Sequence, residues 1–258
     1  PHFERRSEVA HIQCDRILNG DILYAKSLAR QALIPTRPNR LSMTCEAVRE
    51  RVFSRRNPFN GFPVAFIKTV YKDYEFLEEQ LAVSYSEENV FCFALDRKAP
   101  LDFRRKFTIL STCLHNVLVA RDEYELDSDG RGQSSAQLDC LRSIRRRNWN
   151  YVILQQNNDI VIKTNAEIAE IFKTMAGAND MEMSTCPDDN RCDLHEKNLG
   201  RLGLCPKNLS KKEMEGCEKE DITMAKGWMQ VSLTRKTADY LLDQLNTTLL
   251  IKELQKMV

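Results

Sequence analysis

Apolar and polar positions alternate in blocks from residue 62 to residue 175, and each block has the length of one secondary-structure element. Pro63–Tyr71 (PVAFIKTVY) is rich in β-branched and aromatic residues and predicts a strand. Tyr74–Ser84 carries Phe76, Leu77, Leu81 and Ala82 at helical spacing. Val90–Leu95 (VFCFAL) is continuously apolar, as a strand covered on both faces must be. A helix is predicted at Leu101–Leu110, a third strand at Asn116–Ala120 and another helix at Gln133–Arg146. Tyr151–Leu154 (YVIL) predicts a fourth strand and Ala166–Thr174 the helix after it. Strands alternating with helices imply βαβ units, hence an α/β fold with a mostly parallel sheet and right-handed crossovers. Ligands in such sheets bind beyond the carboxyl ends of the strands. That rule selects Lys72 and Asp73, Asp96 and Arg97, Arg121 to Arg131, and Asn157 to Asp159.

The rhythm is different on either side. Residues 1–60 read as a lead-in with short helical patterns, as in Asp21–Leu33, and a Pro/Arg/Asn-rich connection at Pro35-Thr36-Arg37-Pro38. Its Arg49, Arg51, Arg55 and Arg56 suggest a solvated helix face rather than an anion site. Residues 61–258 form the main domain, interrupted by a loop-rich insert over about 177–226. The insert holds Cys186, Cys192, Cys205 and Cys217 at spacings C-x5-C, C-x12-C and C-x11-C. With no C-x2-C pair, disulfides are favoured over a zinc knuckle despite nearby His195, and the pairing stays open. Met229–Thr234 then returns as a strand, followed by a helix from Arg235 to about Gln244 and an amphipathic stretch to Val258.

Composition narrows the class. The 258 residues carry 38 Lys and Arg against 37 Asp and Glu, a formal charge of +1. That balance argues against a nucleic-acid protein built on a broad basic surface. At 42% apolar and 29% charged the chain is globular rather than disordered. Its longest wholly apolar stretch is the six residues Val90–Leu95, against roughly 20 for a spanning helix. No membrane contact is expected from this segment itself. Nine cysteines, with sequons at Asn208-Leu209-Ser210 and Asn246-Thr247-Thr248, tilt the reading toward an oxidising, glycosylating compartment. An odd count leaves at least one cysteine free, paired between chains or without its partner.

No Gly-rich phosphate loop, H-E-x-x-H or nucleophile elbow is present, so the chemistry rests on polar residues at strand ends. Asp96 ends an apolar strand, where a carboxylate accepts hydrogen bonds from a ribose or uracil edge. Asp127-Ser128-Asp129 is a D-x-D triplet of the kind that holds a divalent ion against a departing diphosphate. It closes no apolar strand, and a polar loop is the favoured reading. Asn157-Asn158-Asp159 lies between YVIL and Ile160–Asn165, well placed for a ligand and equally suited to a turn. Arg145-Arg146-Arg147 ends a helix, where cations suit the dipole.

In this order the pieces resemble the core-2/I-branching β-1,6-N-acetylglucosaminyltransferase family, and within it the nematode members. The resemblance is carried by Cys14–Asp21 (CDRILNGD), Phe62–Phe66, Asn89–Ala99 (NVFCFALDRKA), Cys113–Val117, Asp139–Leu141 and Trp149–Leu154. The most diagnostic run is Asn158–Asn165 (NDIVIKTN). It implies a GT-A-like, Rossmann-like fold and an inverting transfer of N-acetylglucosamine from UDP-GlcNAc to a hydroxyl of a glycan acceptor. It also implies the Golgi lumen, a type II membrane protein whose anchor lies outside this chain, and a metal-independent reaction with no cofactor.

On this resemblance Thr69 and Asp96 meet the uridine of the donor, and Asp159 is a strand-end Asp near the site. Ser128–Gln133 replaces a stretch that carries an aromatic donor contact in the family, and no aromatic stands there. The implied disulfides are Cys45 with Cys113 and Cys92 with Cys140, while Cys14 matches a cysteine whose partner lies near the family's far C-terminus. The family's basic donor contacts and its catalytic Glu, in an acidic Pro-containing motif, follow the strand matching Met229–Thr234. No counterpart of that motif is found here, and the catalytic residues stay unassigned. The chain reads as a C-terminally truncated catalytic domain. The alternative is a non-catalytic lumenal pseudoenzyme or glycan-binding module without the general base, and a xylosyltransferase-type activity is a third reading.

Overall fold

A computed structural model describes residues 9–31, 41–54, 61–127, 130–186 and 194–256. The Pro35–Pro38 connection, Arg55, Arg56, Ser128, Asp129 and Cys192 lie outside them. The chain divides into two compact units, Pro1–Ser42 and Met43–Val258.

The first unit holds α1 (Cys14–Leu18) and α2 (Ile22–Ala29). Asp21 caps α2 by accepting from the Tyr24 N–H at 2.9 Å. Its other oxygen takes the Arg16 guanidinium at 2.6 Å, which in turn stacks 4.1 Å over the Tyr24 ring. Cys14 is a free thiol.

The second unit runs α3 (Cys45–Phe53), β1 (Val64–Val70), α4 (Tyr74–Ser84), β2 (Val90–Leu95), α5 (Leu101–Cys113), β3 (Val117–Val119), α6 (Gln133–Ile144), β4 (Tyr151–Gln155) and α7 (Asn165–Met175). After these come α8 (Leu199–Leu202), α9 (Lys211–Cys217), β5 (Val231–Thr234), α10 (Arg235–Asp243) and α11 (Thr248–Leu254). The five strands form one sheet in the order β3-β2-β1-β4-β5. All neighbours are parallel except β5, which pairs antiparallel with β4 at the edge. The fold is thus α/β, as the alternation of elements predicts.

Strand periodicity assigns the two faces. Ala65 and Ile67, with Cys92, Ala94, Val152 and Leu154, pack against Ala136, Cys140, Leu141 and Ile144 of α6. The opposite rows hold Phe66, Phe91 and Phe93, which meet aromatic residues of the α4–α5 side: Phe93 lies 4.8 Å from Phe107, and Tyr74 meets the Phe107 ring edge-on at 5.3 Å. The chain therefore moves outward from β1 to β3 with helices on one face. It then jumps back across β2 and β1 to β4 with α6 on the other. The reversal falls between β1 and β4, which makes that strand boundary the topological switch point.

Disulfides join Cys45 to Cys113, tying α3 to the end of α5, and Cys92 to Cys140, tying β2 to α6. These are the two pairs that the resemblance implies. In the insert Cys205 pairs with Cys217, and Cys186 is also disulfide-bonded.

The two compact units part at 42/43, and α3 is bound into the second of them by Cys45–Cys113 and by its arginines. Arg49 is exposed, as a solvated face implies, and its Nε also donates to the Cys113 carbonyl at 3.1 Å, whereas Arg51 turns inward and pairs with the buried Glu78. Arginine in a short basic run looks solvated in sequence, since its partners sit 27 and 64 residues away.

The Arg145–Arg147 turn follows the dipole argument differently. Its carbonyls are taken by one side chain, Arg235 of α10, which donates to Arg147 O at 2.9 Å and Arg145 O at 2.5 Å. The same guanidinium lies 4.6 Å from the Trp149 ring centroid and bonds Asp239 at 3.0 Å. Arg145 itself pairs with Asp243. No helix among the described residues is long and apolar enough to cross a membrane.

Candidate functional site

Three apolar rows on the α6 face each end in a polar residue. After Ala65 and Ile67 comes Thr69; after Cys92 and Ala94 comes Asp96; after Val152 and Leu154 comes Gln156. Parallel registry puts these ends beside one another, since Thr69 is opposite Ala94 and Lys68 is opposite Gln155. They open into a cleft of about 750 Å³, within the ordinary size of small-molecule sites of roughly 300–1,000 Å³. Its walls carry Thr69, Asp96 and Asp159 together, so the three residues singled out by resemblance share one cavity.

Asp96 is only 6% exposed. Its backbone extends the sheet, donating to Val70 O at 2.9 Å, and its Oδ1 accepts from the Lys98 N–H at 2.9 Å. Among the described residues no donor reaches Oδ2. Thr69 is 2% exposed, and its hydroxyl likewise has no protein partner among them. Both groups are therefore ordered by the strands and left available to a ligand.

The opposite wall is the turn after β4. Asn157, buried, accepts from the backbone N–H groups of Tyr71 at 2.9 Å and Lys72 at 3.3 Å, which stitches the exits of β1 and β4 together across the switch point. Asp159 folds back on its own turn: Oδ2 accepts from Gln156 N at 2.6 Å and from Gln230 Nε2 at 2.9 Å. Its role is thus to shape the wall and to bring the segment before β5 onto it. The turn reading of Asn157–Asp159 holds, and the turn also lines the cleft.

Lys68 supports this wall from beneath. It points to the α4 face, 5% exposed, and its ammonium donates to the Asp159 carbonyl at 2.5 Å and to Gln80 Oε1 on α4. Burial pushes its pKa down to about 8, and the Asp159 charge partly opposes that. A base with a depressed folded pKa binds fewer protons folded than unfolded between pH 8 and 10.5. Stability therefore rises with pH across that window. Relative to a Lys68→Met variant, the wild type should gain on the order of 2 kcal/mol from pH 8 to 10.5. Urea unfolding of both proteins at a series of pH values measures it, and parallel curves would remove Lys68 as the origin.

Sequence reasoning missed Tyr71 and Gln156, and it reached Gln133 only as the end of Ser128–Gln133. Tyr71 lines the cleft, half exposed, with the Lys72 ammonium 5.2 Å from its ring. It read as the last residue of a strand, and only its position beyond β1 marks it. Gln133, the first residue of α6, also lines the cleft and is buried. Asp127 stands there too, with Oδ1 accepting from Arg131 N at 2.9 Å, while Asp129 lies outside the described residues. Among the described residues no group of three or more His, Cys, Asp or Glu is placed to hold a metal ion.

The fold and cleft define an α/β protein with a preformed site at the sheet's switch point, walled by carboxylates and amides. The family model of the Core-2/I-Branching enzyme matches residues 64–257, and the chain belongs to that family. It is 29% identical over 197 residues to a human N-acetyllactosaminide beta-1,6-N-acetylglucosaminyl-transferase, covering 74% of this chain and 48% of the relative. It is 25% identical over 198 residues to a bovine beta-1,3-galactosyl-O-glycosyl-glycoprotein beta-1,6-N-acetylglucosaminyltransferase, covering 70% and 46%. The protein of that same name from Bovine herpesvirus 4 is 28% identical over 132 residues, covering 50% and 30%. The chain thus spans about half the length, or less, of these relatives.

Proposed function

We propose that the protein is an inverting glycosyltransferase that moves N-acetylglucosamine from UDP-GlcNAc to a hydroxyl of a glycan acceptor, in β-1,6 branching of O-glycans. The observation that carries this reading is the convergence of Thr69, Asp96 and Asp159 on one switch-point cleft. The names of the relatives support the sugar and the linkage. In such a transfer the acceptor oxygen attacks the anomeric carbon as its proton passes to a base, and the bond to the UDP oxygen breaks.

Thr69 and Asp96 would hold the uridine, and Asp159 would keep the far wall in place. The reading includes no resident metal. Charge on the leaving diphosphate then has to be met by cations of the protein, and among the described residues Lys98 is the cationic side chain on the cleft's lining. Disulfide bonding of the chain supports an oxidising lumen, proposed as the Golgi. Asn208 and Asn246 are exposed and suited to carry glycans there.

One observation favours a second reading, binding without turnover. No glutamate lines the cleft among the described residues, and the Asp159 carboxylate is occupied by Gln156 and Gln230. Calorimetric titration with UDP and UDP-GlcNAc, beside a turnover assay on a Galβ1,3GalNAc acceptor, separates the two. The transferase reading expects binding of both nucleotides and release of UDP with acceptor present. Binding without release supports the second reading, and absence of nucleotide binding defeats the transferase and the nucleotide-binding pseudoenzyme alike.

A further inference from the structure

Lys68 and Thr69 are neighbours on β1 and serve opposite walls of the cleft. Thr69 lines the cavity itself, while Lys68 points to the α4 face and reaches the far wall from behind. Its ammonium donates to the Asp159 carbonyl at 2.5 Å and to Gln80 Oε1. Gln156, Asn157, Asn158 and Asp159 line the cleft, so this one cation ties their wall to α4. The same turn is closed from its other side by Asp159 Oδ2, which accepts from Gln156 N and Gln230 Nε2.

The charge is costly where it stands. Lys68 is 5% exposed, and both of its acceptors are uncharged oxygens. Asp159 acts on it through space, but spends Oδ2 on Gln156 and Gln230. The other groups around the ammonium do not ionise: Phe93 of β2, Gln155 of β4, and Leu77, Gln80, Leu81 and Ser84 of α4. Glu78 of α4 is committed to Arg51 and Tyr74. Gln80 gives the ammonium its oxygen although Nε2 is then buried with no partner among the described residues. Burial accordingly lowers the Lys68 pKa to about 8. A methionine would fill this space without desolvating a charge. Stability is commonly given up where function needs the group, and here the group acts on the wall of the cleft.

We propose that Lys68 is a positioning residue of the cleft: its ammonium holds the Gln156–Asp159 wall in the form that meets the nucleotide, so ligand binding and the proton on Lys68 are coupled. This rests on the nucleotide reading of the cleft given above. The amine left after deprotonation keeps two hydrogens, but hydrogen bonds without charge are about half as strong. The hold on Asp159 then weakens. Such coupling is reciprocal. A nucleotide that needs the wall in place binds the protonated protein more tightly, and its binding draws a proton onto Lys68. The anionic diphosphate acts in the same sense, since it favours a cation nearby.

Calorimetric titration of the full chain with UDP, run at about pH 8.5 in two buffers of different ionisation enthalpy, counts the protons taken up. Coupling of about ten-fold, ordinary for linked sites, predicts uptake of about half a proton per UDP. It also predicts an affinity that falls about five-fold from pH 7 to 9. Lys68→Arg keeps its charge across this range. Its UDP affinity should match that of the wild type at pH 7 and hold at pH 9, with no uptake. Lys68→Met should bind UDP about ten-fold more weakly at pH 7, with no pH dependence beyond the ligand's own. A lysine that only supports the fold gives another pattern: the variants change in melting temperature, while the wild type takes up no proton and shares the pH profile of Lys68→Met. That pattern overturns the proposal. Should neither variant fold, the wild-type count decides alone, and binding without uptake overturns it. If Asp96→Ala weakens UDP while the wild type takes up no proton, the nucleotide reading stands and Lys68 alone is dismissed. If the wild type fails to bind UDP, both fall together.

Discussion

Asp96→Ala is expected to weaken UDP binding by about 30- to 100-fold without unfolding the protein. A hydrogen bond to a charged group is worth about 1.5–3 kcal/mol, or roughly 10- to 150-fold in affinity. The upper part of that range applies because Asp96 is already desolvated and oriented. The sheet fixes its backbone through Val70, and the Lys98 N–H fixes one oxygen, so the ligand has no ordering to do. The fold should survive, since the bonds that extend β2 are made by the backbone, and only the Lys98 N–H loses its acceptor. Asp96→Asn keeps the shape and one acceptor and should fall between alanine and wild type. Titration at fixed salt, with melting temperatures recorded for each variant, reads both effects. An alanine variant that folds and binds UDP as the wild type does would sink the placement of the nucleotide in this cleft.

How far the site can be read from sequence depends on which neighbours set each residue. β1, β2 and β4 are legible because each carries its own periodicity. Asp96 is legible because it is the first polar residue after six apolar ones. The rule that ligands meet carboxyl ends of parallel strands does the rest. Gln133 is not legible. It lies at a helix start among serines, and its burial follows from Gly132 and from α6 crossing back over β2 and β1, a long-range event. Tyr71 fails for the opposite reason: an aromatic at the end of an apolar strand looks like more strand. The turn at Asn157–Asp159 was equally consistent with structure or ligand binding. The reason is that Lys68, one of the side chains that hold the turn, is 91 residues away.

The same logic gives the largest stability effect. Arg51→Met should cost about 3–5 kcal/mol, the usual penalty for stranding one member of a buried ion pair. Glu78 is 5% exposed and holds the Arg51 guanidinium through both oxygens, one contact being Nη2 to Oε2 at 3.1 Å. Its other partner is the Tyr74 hydroxyl at 2.7 Å, itself held protonated to high pH by burial and by the Glu78 charge. Without Arg51, a carboxylate on α4 faces the α3 interface with one neutral donor. The two members are not equivalent. The Arg51 side chain is 30% exposed, so after Glu78→Met it can turn to water. That variant should cost only about 1–2 kcal/mol, and the double variant should recover most of the loss of Arg51→Met. Because Cys45–Cys113 keeps α3 in place in every variant, urea unfolding under oxidising conditions reports the stranded charge rather than loss of the helix. An Arg51→Met protein within 1 kcal/mol of wild type would show that the pair does not hold α3 to α4. The attachment of α3 to the second unit would then rest on the disulfide, on Arg49 and on the packing of Val48, Val52 and Phe53.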